Sequence, residues 1–115
     1  MTIQRHEQTA RYSKIVVRDE LVYLAGLIAR DMDAGIVEQT RDIFVQIDAL
    51  LAAAGTDKSK LLTMNCWIKD FADYALFNET YDRWVDPTNL PARATVRADL
   101  LDPRQRIEIM ATASK

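Results

Sequence analysis

Ala92-Arg93-Ala94-Thr95-Val96-Arg97-Ala98-Asp99-Leu100 is followed, after Asp102-Pro103, by Arg106-Ile107-Glu108-Ile109-Met110-Ala111-Thr112-Ala113. Both stretches alternate. Ala94, Val96, Ala98 and Leu100 fall on one side of the first, with Arg93, Thr95, Arg97 and Asp99 on the other. In the second, Ile107, Ile109, Ala111 and Ala113 oppose Glu108, Met110 and Thr112. A period of two predicts strands with one buried face, and Asp102-Pro103 predicts a turn. Read as a hairpin, the apolar sets share a face, which puts Arg93, Thr95, Arg97 and Glu108 together on the other. If Leu100 lies across from Ile107, Glu108 lies across from Asp99, and Arg93 is roughly 20 Å further along. On that register Arg93 and Glu108 of one chain cannot touch one small molecule. They meet only across a subunit boundary.

Upstream, Ile15-Val16-Val17 and Leu21-Val22-Tyr23-Leu24 predict a second hairpin over Ser13–Leu27, turning at Arg18-Asp19-Glu20. In Val37–Ala54, Ile43, Ile47, Leu50, Leu51 and Ala54 recur at helical spacing. Glu38, Gln39, Arg41, Asp42, Gln46 and Asp48 lie largely off that stripe, and Gly55 is a stop. Leu61–Lys69 predicts a strand. Asp70–Val85 predicts a second helix, through Phe71, Tyr74, Phe77 or Asn78, Tyr81 and Trp84, ended by Asp86-Pro87. The order β-β-α-β-α-β-β gives a two-layer α+β domain, with a mixed sheet of about five strands and two helices on one face. The single domain is expected to span 1–115. Several strands are apolar on both faces, so the sheet face away from the helices needs a cover; a second copy of the chain is the economical one, and a monomer whose sheet curls onto itself is the alternative.

Composition closes off several functions. The 115 residues carry 15 Lys+Arg against 17 Asp+Glu, a net charge of −2, so there is no overall basic field for nucleic acid. One Cys (Cys66) and one His (His6) leave no intrachain disulfide, too few ligands for a zinc site, and no convincing Cys-His or Ser-His pair. No apolar run reaches the roughly 18 residues of a membrane span, and the N-terminus lacks a signal-peptide core. A cytoplasmic location is expected. Taken singly, the polar residues have ordinary readings: an Arg on a strand is most often a surface residue, and Cys66 in a strand is most often a small core hydrophobe.

Leu90-Pro91-Ala92-Arg93-Ala94-Thr95-Val96 with Arg106-Ile107-Glu108-Ile109 resembles the signature of the RidA (YjgF/YER057c/UK114) family. Asn78-Glu79-Thr80-Tyr81, Trp67-Ile68-Lys69-Asp70 and Ala53-Ala54-Gly55 are similar to further family patterns, so the likeness covers nearly the whole chain. The resemblance implies a chorismate-mutase-like fold and a homotrimer with a central barrel and clefts between subunits. It implies cofactor-free hydrolysis of reactive enamines and imines, of the 2-aminoacrylate and 2-iminobutanoate type, to 2-keto acids and ammonia. By position, Arg93 would anchor the substrate carboxylate and Glu108 would position or activate the attacking water. Tyr12, Asn78, Thr95 and Ala25 would line the substrate pocket, and no metal is implied. Many members carry Ser where this chain has Ala25 and Cys where it has Thr95, and Leu27 replaces a polar residue, which implies a more apolar pocket. The alternatives are a 2-keto acid-binding trimer without turnover, a related C–N hydrolase of a larger amide or carbamate-like substrate and, resting on Arg93, Arg97, Arg104 and Arg106, an endoribonuclease or translation inhibitor.

Overall fold

In the computed structural model, which describes residues 2–115, the strands are β1 (Ile3–Gln8), β2 (Ser13–Arg18), β3 (Leu21–Leu24), β4 (Leu27–Ile28), β5 (Leu61–Ile68), β6 (Ala92–Arg97) and β7 (Ile107–Ser114). Helices α1 (Ile36–Ala53) and α2 (Tyr74–Trp84) lie between β4 and β5 and between β5 and β6. The sheet order is β1-β2-β3-β7-β5-β6, with β4 also on β7. Only β5 and β6 run parallel; the other pairs are antiparallel. Both helices cover one face of this mixed sheet, the expected α+β architecture. Among the described residues no helix is long and apolar enough to cross a membrane.

The core is the layer between sheet and helices. Ile15, Val22, Leu24, Met64, Cys66, Ile68, Ile107 and Ile109 point to the helices and are buried. Ile43, Phe44, Ile47 and Leu51 of α1 and Phe77 and Tyr81 of α2 meet them. Phe44 stacks on Trp84, ring centroids 4.1 Å apart, which joins the two helices. At the end of α1, Gly55 takes φ +81, the left-handed conformation that costs a residue without Cβ little, and Thr56 N–H bonds back to the Leu51 carbonyl.

The last two strands are not a hairpin. β5 lies between them, paired parallel with β6 and antiparallel with β7. Registration follows: Arg93 is level with Met64 and Ala111, Thr95 with Cys66 and Ile109, and Arg97 with Ile68 and Ile107. Partners across a sheet share a face. Arg93, Thr95 and Arg97 therefore lie on the helix side, and Ala92, Ala94 and Val96 on the open side with Trp67 and Glu108. The expected common face for Arg93, Thr95, Arg97 and Glu108 does not form. Alternation fixes which residues share a side, but it cannot say which side is in. On an edge strand the charged set can sit inward, because long side chains reach past the sheet margin.

Other differences have local causes. β1 is exposed along its whole length, so no hydrophobic pattern announces it. The strand read through Gly26 breaks at Ala25-Gly26. Tyr23 pairs with Thr112 and Leu27 with Ile109, so four steps on one side span three on the other, a one-residue bulge. The second helix begins as a 3₁₀ turn, Phe71–Asp73, before α2. Gln39 is buried rather than on the wet face of α1. Its Nε2 donates to the carbonyls of Met32, Ala34 and Arg104, and its Oε1 accepts from Arg106 N–H at 3.0 Å. One carboxamide thus ties the loop before α1 to the loop before β7, with the hydrogen bonds that burial demands.

The open face carries Leu21, Tyr23, Met110 and Val96, all exposed, with Leu62 at a bulge in β5. Thr63 and Thr112 share a 2.6 Å hydroxyl hydrogen bond there.

Candidate active site

Arg93 leaves edge strand β6 beneath α2. Its guanidinium lies over the rings of Tyr81 (4.7 Å) and Phe77 (5.3 Å), and Nη2 donates to the Tyr74 hydroxyl at 3.4 Å. Tyr74, Phe77 and Tyr81 stand at i, i+3 and i+7 on α2, so one helix face supplies the whole platform. The ring faces attract the cation and hold its plane. No carboxylate pairs with Arg93 among the described residues. By contrast, Arg30 pairs with Asp42, Arg83 with Glu79, Arg104 with Asp102 and Asp33, and Arg106 with Asp73.

Thr95 follows on the same side of β6. Its Oγ1 is buried within reach of the Cys66 sulfur and, among the described residues, has no well-formed hydrogen bond. Beside it, Cys66 is a core residue whose thiol burial pushes up to about 11, with the Arg93 charge pulling only partly the other way. A thiol protonated at neutral pH is a poor nucleophile. Asn78 lies half-buried one turn after Tyr74.

Glu108 occupies the other side of the sheet, level with Trp67 and Ile28. The bulge brings Gly26 under it: a Cβ at Gly26 would stand 2.6 Å from Glu108 Oε2. Only a residue without a side chain leaves that carboxylate its place. An open cavity of about 520 Å³ gathers Glu108 with Tyr12 and Ala25, and Ile28, Leu101 and Met110 give it apolar walls. Leu101 is fully exposed on the loop before β7. Leu27, by contrast, is buried against the helix-side core, opposite Ile109, and does not line this cavity.

The sequence-predicted residues thus fall into two groups, Arg93, Thr95 and Asn78 on the helix side and Tyr12, Ala25 and Glu108 on the open side. Two strand spacings and three residues separate Arg93 from Glu108, roughly 14 Å along the sheet, and the sheet lies between their side chains. This replaces the 20 Å expectation, which assumed a hairpin. Tyr74 and Phe77 were legible only as a helical stripe. Gly26 and Leu101 gave no signal, because the bulge and the cavity are properties of the folded sheet. A larger hollow, about 600 Å³, lies at the C-terminal ends of β5 and β6, beside Lys69, Asp70 and Arg97. There Arg104 and Arg106 are engaged by Asp33, Asp102 and Asp73.

Comparison with known proteins agrees with this architecture. The family model described as Endoribonuclease L-PSP matches residues 2–115. A RutC family protein of Haemophilus influenzae is 40% identical, with 99% of each chain covered. The human 2-iminobutanoate/2-iminopropanoate deaminase is 30% identical over 89% of this chain and 78% of its own length. The crystal structure of a YjgF-family member from Neisseria meningitidis superposes with a TM-score of 0.96 at 39% identity, covering 100% of this chain and 96% of that one. The sequence signature around Arg93 and Glu108, the two-helix mixed sheet and these matches agree, and the chain belongs to the RutC/YjgF (Endoribonuclease L-PSP) family.

Proposed function

We propose that the chain hydrolyses small 2-imino acids to 2-keto acids and ammonia in clefts where the Arg93 side of one protomer meets the Glu108 side of the next in a homotrimer. The observation that carries this reading is Arg93 itself: a guanidinium held on an aromatic platform with no carboxylate of its own. Such a fork grips a planar carboxylate with two parallel hydrogen bonds. Thr95 places a hydroxyl on the same side, buried beside the Cys66 sulfur. The exposed apolar residues of the open face favour a second copy as its cover. The human deaminase relative favours the substrate class.

The chemistry asks little of the protein. With the carboxylate held by Arg93, the protonated imine carbon is electrophilic and needs orientation more than activation. Glu108 takes a proton from water as the water oxygen bonds to that carbon and the C=N electrons pass to nitrogen. Glu108 then returns the proton to the amine of the carbinolamine. The C–N bond breaks, ammonia leaves, and the hydroxyl proton passes to Glu108 as the keto group forms. Tyr12, Asn78 and Ala25 complete the pocket wall, and the chain uses no cofactor. The RNA alternative draws less support, since Arg104 and Arg106 are already paired with aspartates.

The test is ammonia release from imines generated in situ by an amino-acid oxidase. The parent protein accelerates it, and Arg93→Ala loses about 100-fold in kcat/KM for want of orientation while keeping the parent's sedimentation. Parent-level activity in Arg93→Ala would remove the assigned anchor.

A further inference from the structure

Gln105 stands three residues before Glu108 and is only 3% exposed. It borders the same cavity as Glu108. Its Oε1 accepts the Asp102 N–H at 2.8 Å. That bond settles which end of the carboxamide is which, because an N–H must meet an oxygen. Nε2 is then the end left over, and it meets no acceptor among the described residues. Among the described residues Thr95 Oγ1 alone is both sealed and unpaired, so Gln105 Nε2 keeps an opening to the cavity, where a ligand or water completes it. The residue is also firmly set. The Gln39 carboxamide holds the Arg104 carbonyl at 3.1 Å and the Arg106 N–H at 3.0 Å, one on each side of Gln105. Gln105 N–H bonds the Asp102 carbonyl at 3.0 Å. Backbone on both flanks is therefore fixed, which is how a site holds a group ready for a ligand.

We infer that Gln105 is a substrate-binding residue: its Nε2 donates a hydrogen bond to an acceptor oxygen of the bound molecule, next to Glu108. This rests on the imine-hydrolase reading of the same cavity. The pairing is complementary, since Glu108 can only accept when ionised and Gln105 Nε2 can only donate. Leu101, Ile28 and Met110 supply the apolar surface around them. The ligand class that fits is an oxo or imino acid whose oxygen sits against Gln105 and whose apolar body lies against those three side chains. A 2-keto acid product meets this description through its carbonyl. So does the hydroxyl oxygen of the carbinolamine.

Two variants test it. Gln105→Glu keeps an oxygen for the Asp102 N–H and removes the donor. Gln105→Met removes the donor without adding charge. Each is measured for kcat and KM on in situ imines, for 2-ketobutyrate affinity by titration calorimetry, and for melting temperature. The expected result is a fall of about tenfold in kcat/KM and in 2-ketobutyrate affinity in both variants, the loss from leaving one hydrogen bond unmade. In Gln105→Glu this comes with a parent-like melting temperature. Parent-level values in either variant would overturn the inference, because a loss confined to Gln105→Glu is then an effect of charge. An inactive parent would overturn the hydrolase reading instead. The 2-ketobutyrate arm then decides for Gln105, and a parent that neither turns over imines nor binds the keto acid overturns both.

Discussion

Arg93 and Glu108 stand on two faces of one sheet, and the faces are finished in different ways. The Arg93 face is covered. Two helices lie on it, rings from α2 take the guanidinium, and the neighbouring Cys66 and Met64 are dry. The Glu108 face is bare. Tyr23, Met110 and Val96 lie exposed on it, and the Glu108 carboxylate occupies the space that Gly26, lacking a Cβ, leaves free. One half of the proposed site is thus complete within a protomer as a carboxylate grip. The other half is an open hollow with the Glu108 carboxylate in its lining. Neither is a whole active site, and the sheet prevents them from becoming one inside a single chain.

The sharpest way to break this contrast is to divide the halves between chains. Arg93→Ala and Glu108→Gln trimers are each expected to be inactive in ammonia release. Unfolded and refolded together at equal amounts, they should recover about a quarter of parental activity, since each cleft needs an intact half from each of two neighbours, each drawn half the time. No recovery, in mixed trimers verified by mass spectrometry, would mean that both groups serve one protomer or that one of them serves none.

A smaller effect is expected at the open half alone. Gly26→Ala puts a methyl group where Glu108 Oε2 lies, and the flexible carboxylate moves aside rather than the backbone. Displacement of this kind costs about 100-fold in kcat with 2-ketobutyrate affinity held near the parent's, because the carboxylate grip is on the other half. Equal loss of binding and turnover would show that the halves are not separate in their work.

The covered half predicts the mildest change. The Cys66 thiol is raised from near 9 to about 11 by burial, so its contribution to stability is complete below pH 9 and is lost as pH climbs towards 11. Cys66→Ala should flatten the alkaline fall of the melting temperature over that window, at a cost of about 1 kcal/mol at pH 7 for the lost packing. A parallel fall in parent and variant would place the alkaline sensitivity elsewhere.

Much of the molecule could be read before folding. The stripe Ile43, Ile47, Leu50 and Leu51 gave α1, Gly55 gave its end, and the Arg93 and Glu108 segments gave the family. What failed was pairing. Strand alternation at Ala92–Arg97 is local, whereas the insertion of β5 between β6 and β7 is a long-range choice that no period of two encodes. β1 was illegible because Gln4, Arg5, His6 and Glu7 are polar and stay exposed, so no buried face patterns them. Gln39 read as surface because its polarity was visible and its four hydrogen bonds were not. At the candidate site, residue identities carried over by resemblance, but their division between two faces did not, since that depends on register.

The Gln39 carboxamide joins the start of α1 to both flanks of Gln105, and that joint has a mechanical consequence. Loosening either loop must release the other, so the two segments should share one protection factor in amide hydrogen exchange although Arg104 lies 65 positions after Gln39 in the chain. A fold that needs its ligand-facing loop stiff has fastened it to the most deeply seated helix it owns, with a single side chain as the rivet.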